Sequence, residues 1–206
     1  MSIVKLNNNG VKIATAFGSL SSGSMTFIKK LTASSSATLS FVDVSSSVVL
    51  DNTYKEYIFT YNNLHPQNDD ASLEFNLSID SGSNYNVTKT SNSFRAFQNE
   101  AGSSTALAYF AANDLAQGTG FQPLGDENQS NDNDHGQCGI LYLFNPSDTT
   151  FVKHFIATNV NVHAGDYIIN DYIAGYGNTT SAVDAIQFKY HNGNIDAGDI
   201  CLYGIN

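Results

Sequence analysis

Tryptophan is absent from this 206-residue chain, and proline (3), cysteine (2) and Lys plus Arg (9) are scarce. Each shortage removes a class of reading. Without Trp the strongest stacking platform for a sugar ring is missing. The 11 Tyr and 13 Phe fall mainly in strand-like runs, where core packing accounts for them. Tyr172 and Tyr176, beside a glycine-rich strand end, remain as candidate sugar-facing rings. Nine basic residues against 19 acidic ones give a net charge of −10, and Lys29-Lys30 is the one adjacent basic pair. A nucleic-acid binder needs a cationic footprint to displace phosphate counterions, so that class is excluded. No apolar run is long enough to span a membrane as a helix. The opening Met1-Ser2-Ile3-Val4-Lys5 lacks the apolar core of a secretory signal. The expectation is therefore that Cys138 and Cys201 are buried free thiols rather than a disulfide. The Asn-X-Ser/Thr triplets at Asn76, Asn86, Asn128 and Asn178 then read as products of an Asn- and Ser-rich composition.

What is present is β-patterning. Leu73, Phe75, Leu77 and Ile79 alternate with Glu74, Asn76, Ser78 and Asp80, a period of two that predicts a strand with one oily and one polar face. Tyr54–Tyr61 is dense in aromatic residues, as a more deeply buried strand would be. Residues 62–70, polar and marked by Pro66, predict a connection, and Asp80-Ser81-Gly82-Ser83-Asn84 a tight turn. Further strands are predicted at Ser24–Leu31, Ala37–Asp43, Tyr85–Lys89, Cys138–Asn145, Thr150–Thr158, Asp166–Tyr176, Ala182–Tyr190 and Asp199–Ile205. Thr105–Gln117, richer in Ala, stays open between strand and short helix. No period of 20–50 residues repeats, so propellers and solenoids are disfavoured.

These elements predict an all-β fold: a single jelly-roll-like antiparallel β-sandwich over residues 24–206, preceded by an extended N-terminal arm over residues 1–23. The apolar residues of that arm, Ile3, Val4, Leu6, Val11, Ile13 and Phe17, are the candidate partner-binding residues. The apolar final run through Ile205 suggests a domain complete at its last strand.

Catalytic constellations are wanting. Glu56, Glu74, Glu100 and Glu127 are scattered, with Glu74 on the polar phase of its strand, so no acid/base pair for glycoside hydrolysis is assigned. No G-x-S-x-G elbow occurs, and the histidines have no recognisable nucleophile partner. No cofactor is called for, and the expectation is a protein without enzymatic activity. Residues 122–137, which end in GDENQSNDNDHGQ at 125–137, predict an exposed loop. Asp126, Glu127, Asp132, Asp134 and His135 crowd it; Asp126, Asp132 and Asp134 are the candidate Ca²⁺ ligands, although the spacing does not match an EF-hand. His154 and His163 lack companions at zinc-ligand spacing.

Several segments carry a resemblance. They are LTASSSATLSF at 31–41, NTYKEY at 52–57, HPQNDDA at 65–71 before Leu73, DSGSNY at 80–85, and Phe188-Lys189 through GNIDAG at 193–198 to LYGI at 202–205. Together they resemble the β-sandwich domain of virion structural proteins of tailed bacteriophages, marine ones especially. The strand written TASSSAxLxF in that family is matched, and its usual DGGSNY turn departs here in one residue. All are turn and core residues, and none is a catalytic signature. The resemblance implies a structural protein of the virion's outer surface, synthesised in the host cytoplasm. With one domain and an acidic surface, the implied role is capsid decoration or cement through contacts with other capsid or tail subunits. It also implies a homo-oligomer, a trimer being one such arrangement, with no nucleic-acid or membrane partner. The alternative is a receptor-binding or adhesin module of a tail fibre or spike that recognises host-surface glycan.

Overall fold

The computed structural model describes residues 24–125 and 128–206. Among them are thirteen strands: β1 (Met25–Thr32), β2 (Leu39–Val42), β3 (Glu56–Pro66), β4 (Leu73–Ser78), β5 (Lys89–Asn99), β6 (Thr105–Tyr109), β7 (Ala116–Gly118), β8 (Gln122–Pro123), β9 (Gln137–Phe144), β10 (Lys153–His163), β11 (Tyr167–Gly177), β12 (Ala185–Tyr190) and β13 (Ile195–Ile205). One 3₁₀ turn, Ala111–Asn113, is the only helical element described. The open segment at 105–117 is thus strand, turn and strand. The arm residues Ile3, Val4, Leu6, Val11, Ile13 and Phe17, and the loop residues Asp126 and Glu127, lie outside the described residues.

All pairings are antiparallel. The large sheet runs β1-β13-β3-β9-β10-β11-β5-β6, with β7 also on β5; the small one runs β2-β12-β4-β8. The two pack face to face as a sandwich, because each offers an alternating apolar face that water would otherwise solvate. Phe41, Phe75, Leu77, Ile186 and Phe188 from the small sheet meet Phe59, Leu141, Leu143, Phe155, Ile173 and Leu202 from the large one in a single core. Its centre is aromatic: Phe188 lies 5.6 Å from Phe59 and 6.3 Å from both Phe41 and Phe75, centroid to centroid.

Three local expectations are corrected. β3 does not stop at Tyr61 but runs to Pro66, because β13 pairs along it as far as Ile195 with bulges that absorb the extra residues. Residues 84–88 form no strand; the strand begins at Lys89 and continues as β5, which its polar letters (KTSNSFRAFQN) concealed. β4 is buried on both faces: Glu74, Asn76 and Ser78 are as enclosed as Leu73, Phe75 and Leu77, whereas Ile79 is exposed. The polar face is covered from a distance. The Asn76 amide donates to the carbonyls of Tyr85 (2.6 Å) and Thr119 (3.0 Å), and its oxygen accepts from the buried Lys89 ammonium. Glu74, 4.0 Å from Lys189, has its carboxyl pushed up by burial against that pull.

The stretch 122–137 is likewise not a wholly exposed loop. Gln122, Leu124, Gln129, Ser130 and Gln137 are buried. Their amides substitute for ladder partners: Gln137 Nε2 donates to the Leu124 carbonyl (2.8 Å) and Gln129 Nε2 to that of Leu64 (3.2 Å). Cys138 and Cys201 are free thiols, but half-buried rather than buried.

Candidate functional site

Sheet register places the most unusual surface of the molecule. Along β10 the inward positions are Phe155, Ala157, Asn159 and Asn161, so Ile156, Thr158, Val160 and Val162 point away from the small sheet. Cross-strand partners share a face, which extends the outer surface row by row. Thr158 lies opposite Ile140 and Tyr172, Tyr172 opposite Phe94, and Phe94 opposite Tyr109. The row above carries Tyr142, Ile156, Ala174 and Asn92; the row below, Val160, Asn170, Ala96 and Leu107. From β9 to β6 no outward position holds Asp, Glu, Lys or Arg. Leu107 (74%), Tyr109 (63%), Ile168 (48%) and Phe94 (46%) stand in contact with water. Charge returns at the margins: Glu56 on β3 stands opposite Phe144, Lys30 pairs with Asp199 at 3.2 Å on the β1 side, and the Tyr109 hydroxyl donates to Asp114 beyond β6.

The face has relief. Tyr172 and Phe94 stack with centroids 5.0 Å apart and planes 6° from parallel, forming a ridge. A groove of ≈430 Å³ opens over Ala174 and Gly175, walled by Ile156, His154 and Tyr176. A second, of ≈390 Å³, opens where Gly139 lies between Ile140, Val160 and Asn170. Gly139 is obligatory there: a Cβ would sit 2.6 Å from the Thr158 carbonyl oxygen and from the Tyr61 ring. Gly139→Ala is expected to cost about 1–3 kcal/mol, read as a lowered denaturation midpoint in urea.

Behind this face lies a polar row. Tyr61, Gly139, Asn159, Asp171 and Arg95 follow one another inward-facing across five strands. Asp171 is fully buried, and neither of its oxygens, nor the amide ends of Asn159 and Asn161, has a hydrogen-bond partner among the described residues. Burial pushes the Asp171 carboxyl up to about 7, and the Arg95 charge opposes that only in part. Arg95 itself lies 3.7 Å from the Phe110 ring centroid. Next to it Arg95, Phe97, Ser104, His163, Tyr167 and Ile169 line a cavity of ≈240 Å³. There burial first, and Arg95 second, hold the imidazole of His163 below its usual range.

Of the candidate calcium ligands, Asp132 and Asp134 are described, and they turn to a histidine rather than to a common centre. Asp132 and Asp134 each approach His135, at 3.9 Å, from its two ring nitrogens. His65 joins them through a 3.1 Å contact of its Nε2 with the Asp132 carbonyl, and Asp196 lies 3.8 Å from His65 Nδ1. Among the described residues no three of His, Cys, Asp or Glu are grouped to hold a metal ion. Glu56, Glu74 and Glu100 sit on β3, on β4 and just past β5, on separate elements. His154 edges the first groove, while His163 Nδ1 accepts from the Gly165 amide in a turn.

Of the residues singled out from the sequence, Tyr172 and Tyr176 lie on the outer face, Tyr172 exposed and Tyr176 half-buried. Phe94, Leu107, Tyr109, Ile156 and Val160 were missed. The signal for the last two was available: in β10 both phases of the alternation carry apolar residues, the mark of a strand covered on both sides. No protein-family model, curated protein or solved structure matches this chain.

Proposed function

We propose that this protein is a structural component of a bacteriophage particle, a head-attached decoration or cement-type subunit that works by protein–protein contact. The observation that carries the reading is the uncharged apolar outer face from β9 to β6. Phe94, Leu107, Tyr109, Ile156, Ile168 and Tyr172 stand exposed on it among uncharged polar residues, and monomeric proteins rarely leave a large contiguous apolar patch without a use for it. The chain as a whole carries a net charge of −10, which suits a subunit turned away from a packaged polyanion. The resemblance of the turn and core segments to virion β-sandwich proteins points the same way.

Immunogold labelling of intact particles tests this directly. Label distributed over the head is expected, and protein absent from purified particles overturns it. Label confined to the tail favours a second reading, a glycan-binding receptor module. One feature supports that reading: the groove beside Tyr176 and His154 combines aromatic walls with the hydroxyl of Thr90 and the amide of Asn92, the mix a sugar requires.

A further inference from the structure

We propose that the occupant of the outer face is a second copy of this chain. The inference rests on the reading above only in taking the face as a protein-contact surface. Three observations select a copy over an unrelated partner.

The first is area. Five strands, β9 to β6, at ~4.8 Å each span about 24 Å, and about seven residues of strand span a similar height. That is a planar footprint of roughly 600 Å², which the protruding Phe94–Tyr172 ridge and Leu107 enlarge. Stable interfaces bury about 800 Å² per partner, so the face alone nearly supplies one side. Its continuation toward Tyr203 and Phe27, which meet edge to face at 5.6 Å, adds apolar area bounded by Glu56 and by the Lys30–Asp199 pair.

The second is charge. Each copy carries −10, so two copies repel over most of their surfaces. The outward rows from β9 to β6 carry neither sign. They are where two acidic copies meet without like-charge opposition, and they offer no ion pair by which a charged partner of another kind would be chosen.

The third is timing. An exposed apolar sheet face of this size is an aggregation hazard from the moment the chain folds. The partner present wherever one chain is made is another chain of the same sequence. Covering the face homotypically removes the hazard before any other component is met.

The full-length protein in dilute buffer provides the test. Sedimentation equilibrium is expected to give a mass above that of one chain, and added salt is expected to strengthen rather than weaken the association, because it screens the repulsion between two acidic copies. Ile156→Glu combined with Leu107→Glu places acids on the face at exposed positions, where folding tolerates them. It is expected to weaken self-association by roughly a hundredfold, with far-UV circular dichroism unchanged. Val44→Glu, also at an exposed apolar residue but in the turn after β2, is expected to leave association intact. A wild-type protein that sediments as one chain at every concentration overturns the proposal, as does an assembly that the double variant leaves unaltered. The virion reading fails separately: a self-associating chain missing from particles sinks that reading alone, and a monomeric chain still found on particles sinks this inference alone.

Discussion

Phe188→Ala is expected to cost about 3–5 kcal/mol, the range for truncating a fully enclosed aromatic ring. Phe188 lies on β12, the strand hydrogen-bonded to both β2 and β4, and it is completely buried. Its ring touches Phe41 and Phe75 from its own sheet and Phe59 from the opposite one. Removing it opens a void that borders both sheets, and neither sheet can relax into it without breaking ladder hydrogen bonds. For a chain of this size each kcal/mol shifts the melting temperature by about 2–4 °C, so a fall of roughly 10 °C is expected. Phe188→Leu, which keeps most of the volume, should cost well under half as much. Urea denaturation of the three proteins checks this. An alanine variant within 1 kcal/mol of wild type would mean that the sheets do not meet around this ring.

The second large effect is on pH dependence. Asp171 is fully buried and its carboxyl is pushed up to about 7 from an ordinary value of 3.8. The folded chain therefore holds that proton more tightly than the unfolded chain. The associated stability is complete below about pH 4 and is lost as pH rises through 7. A shift of about three units corresponds to about 4 kcal/mol at most. Lys89 acts in the opposite sense. Burial pulls its ammonium down to about 7 from 10.5, with Glu74 opposing, so its cost is full below pH 7 and is relieved as pH rises toward 10.5. Together they place a minimum of stability near neutrality. His163, held low, adds a contribution that rises with pH across the acid side of this window, so the informative quantity is a difference between proteins. Asp171→Asn should remove the decline between pH 5 and 7 and leave the recovery above 7. Identical pH profiles for wild type and Asp171→Asn would show that the carboxyl is not enclosed as described.

How far the letters revealed this fold varies by strand for physical reasons. β11 was visible because Ile169 and Ile173 share one phase, and the first half of β10 because Phe155-Ile156-Ala157 is a dense apolar run; its second half, residues 159–163, was not, since its Val residues fall on the opposite phase from Phe155. β5 was not, since Ser91, Asn92 and Ser93 carry no periodicity; its pairing with β11 over eleven residues comes from the neighbouring strand. The polar phase of β4 predicts a water-facing surface because nothing local discloses that Tyr85, Thr119 and Lys89 cover Asn76. For the candidate site, Tyr172 was legible as an aromatic beside glycines. Its stacking partner Phe94 was not, because it belongs to the strand that the pattern hid. Asp171 could have been recognised: it occupies the same phase as Ile169 and Ile173, where a carboxylate is out of place.

The place of β13 has a bearing on how the protein is made. Among the described residues it is the one neighbour of β1 and one of the two neighbours of β3, so residues near 25 and near 60 wait for residues near 200 before these ladders can close. On the ribosome, both earlier strands emerge with the edge that β13 will cover still open, and it stays so until residues near 200 have been translated. Refolding of such a topology is slow, since distant segments must find one another before any local gain accrues. A nascent chain in that condition is a natural client for chaperones, and its yield on expression should fall with temperature well before the finished protein melts.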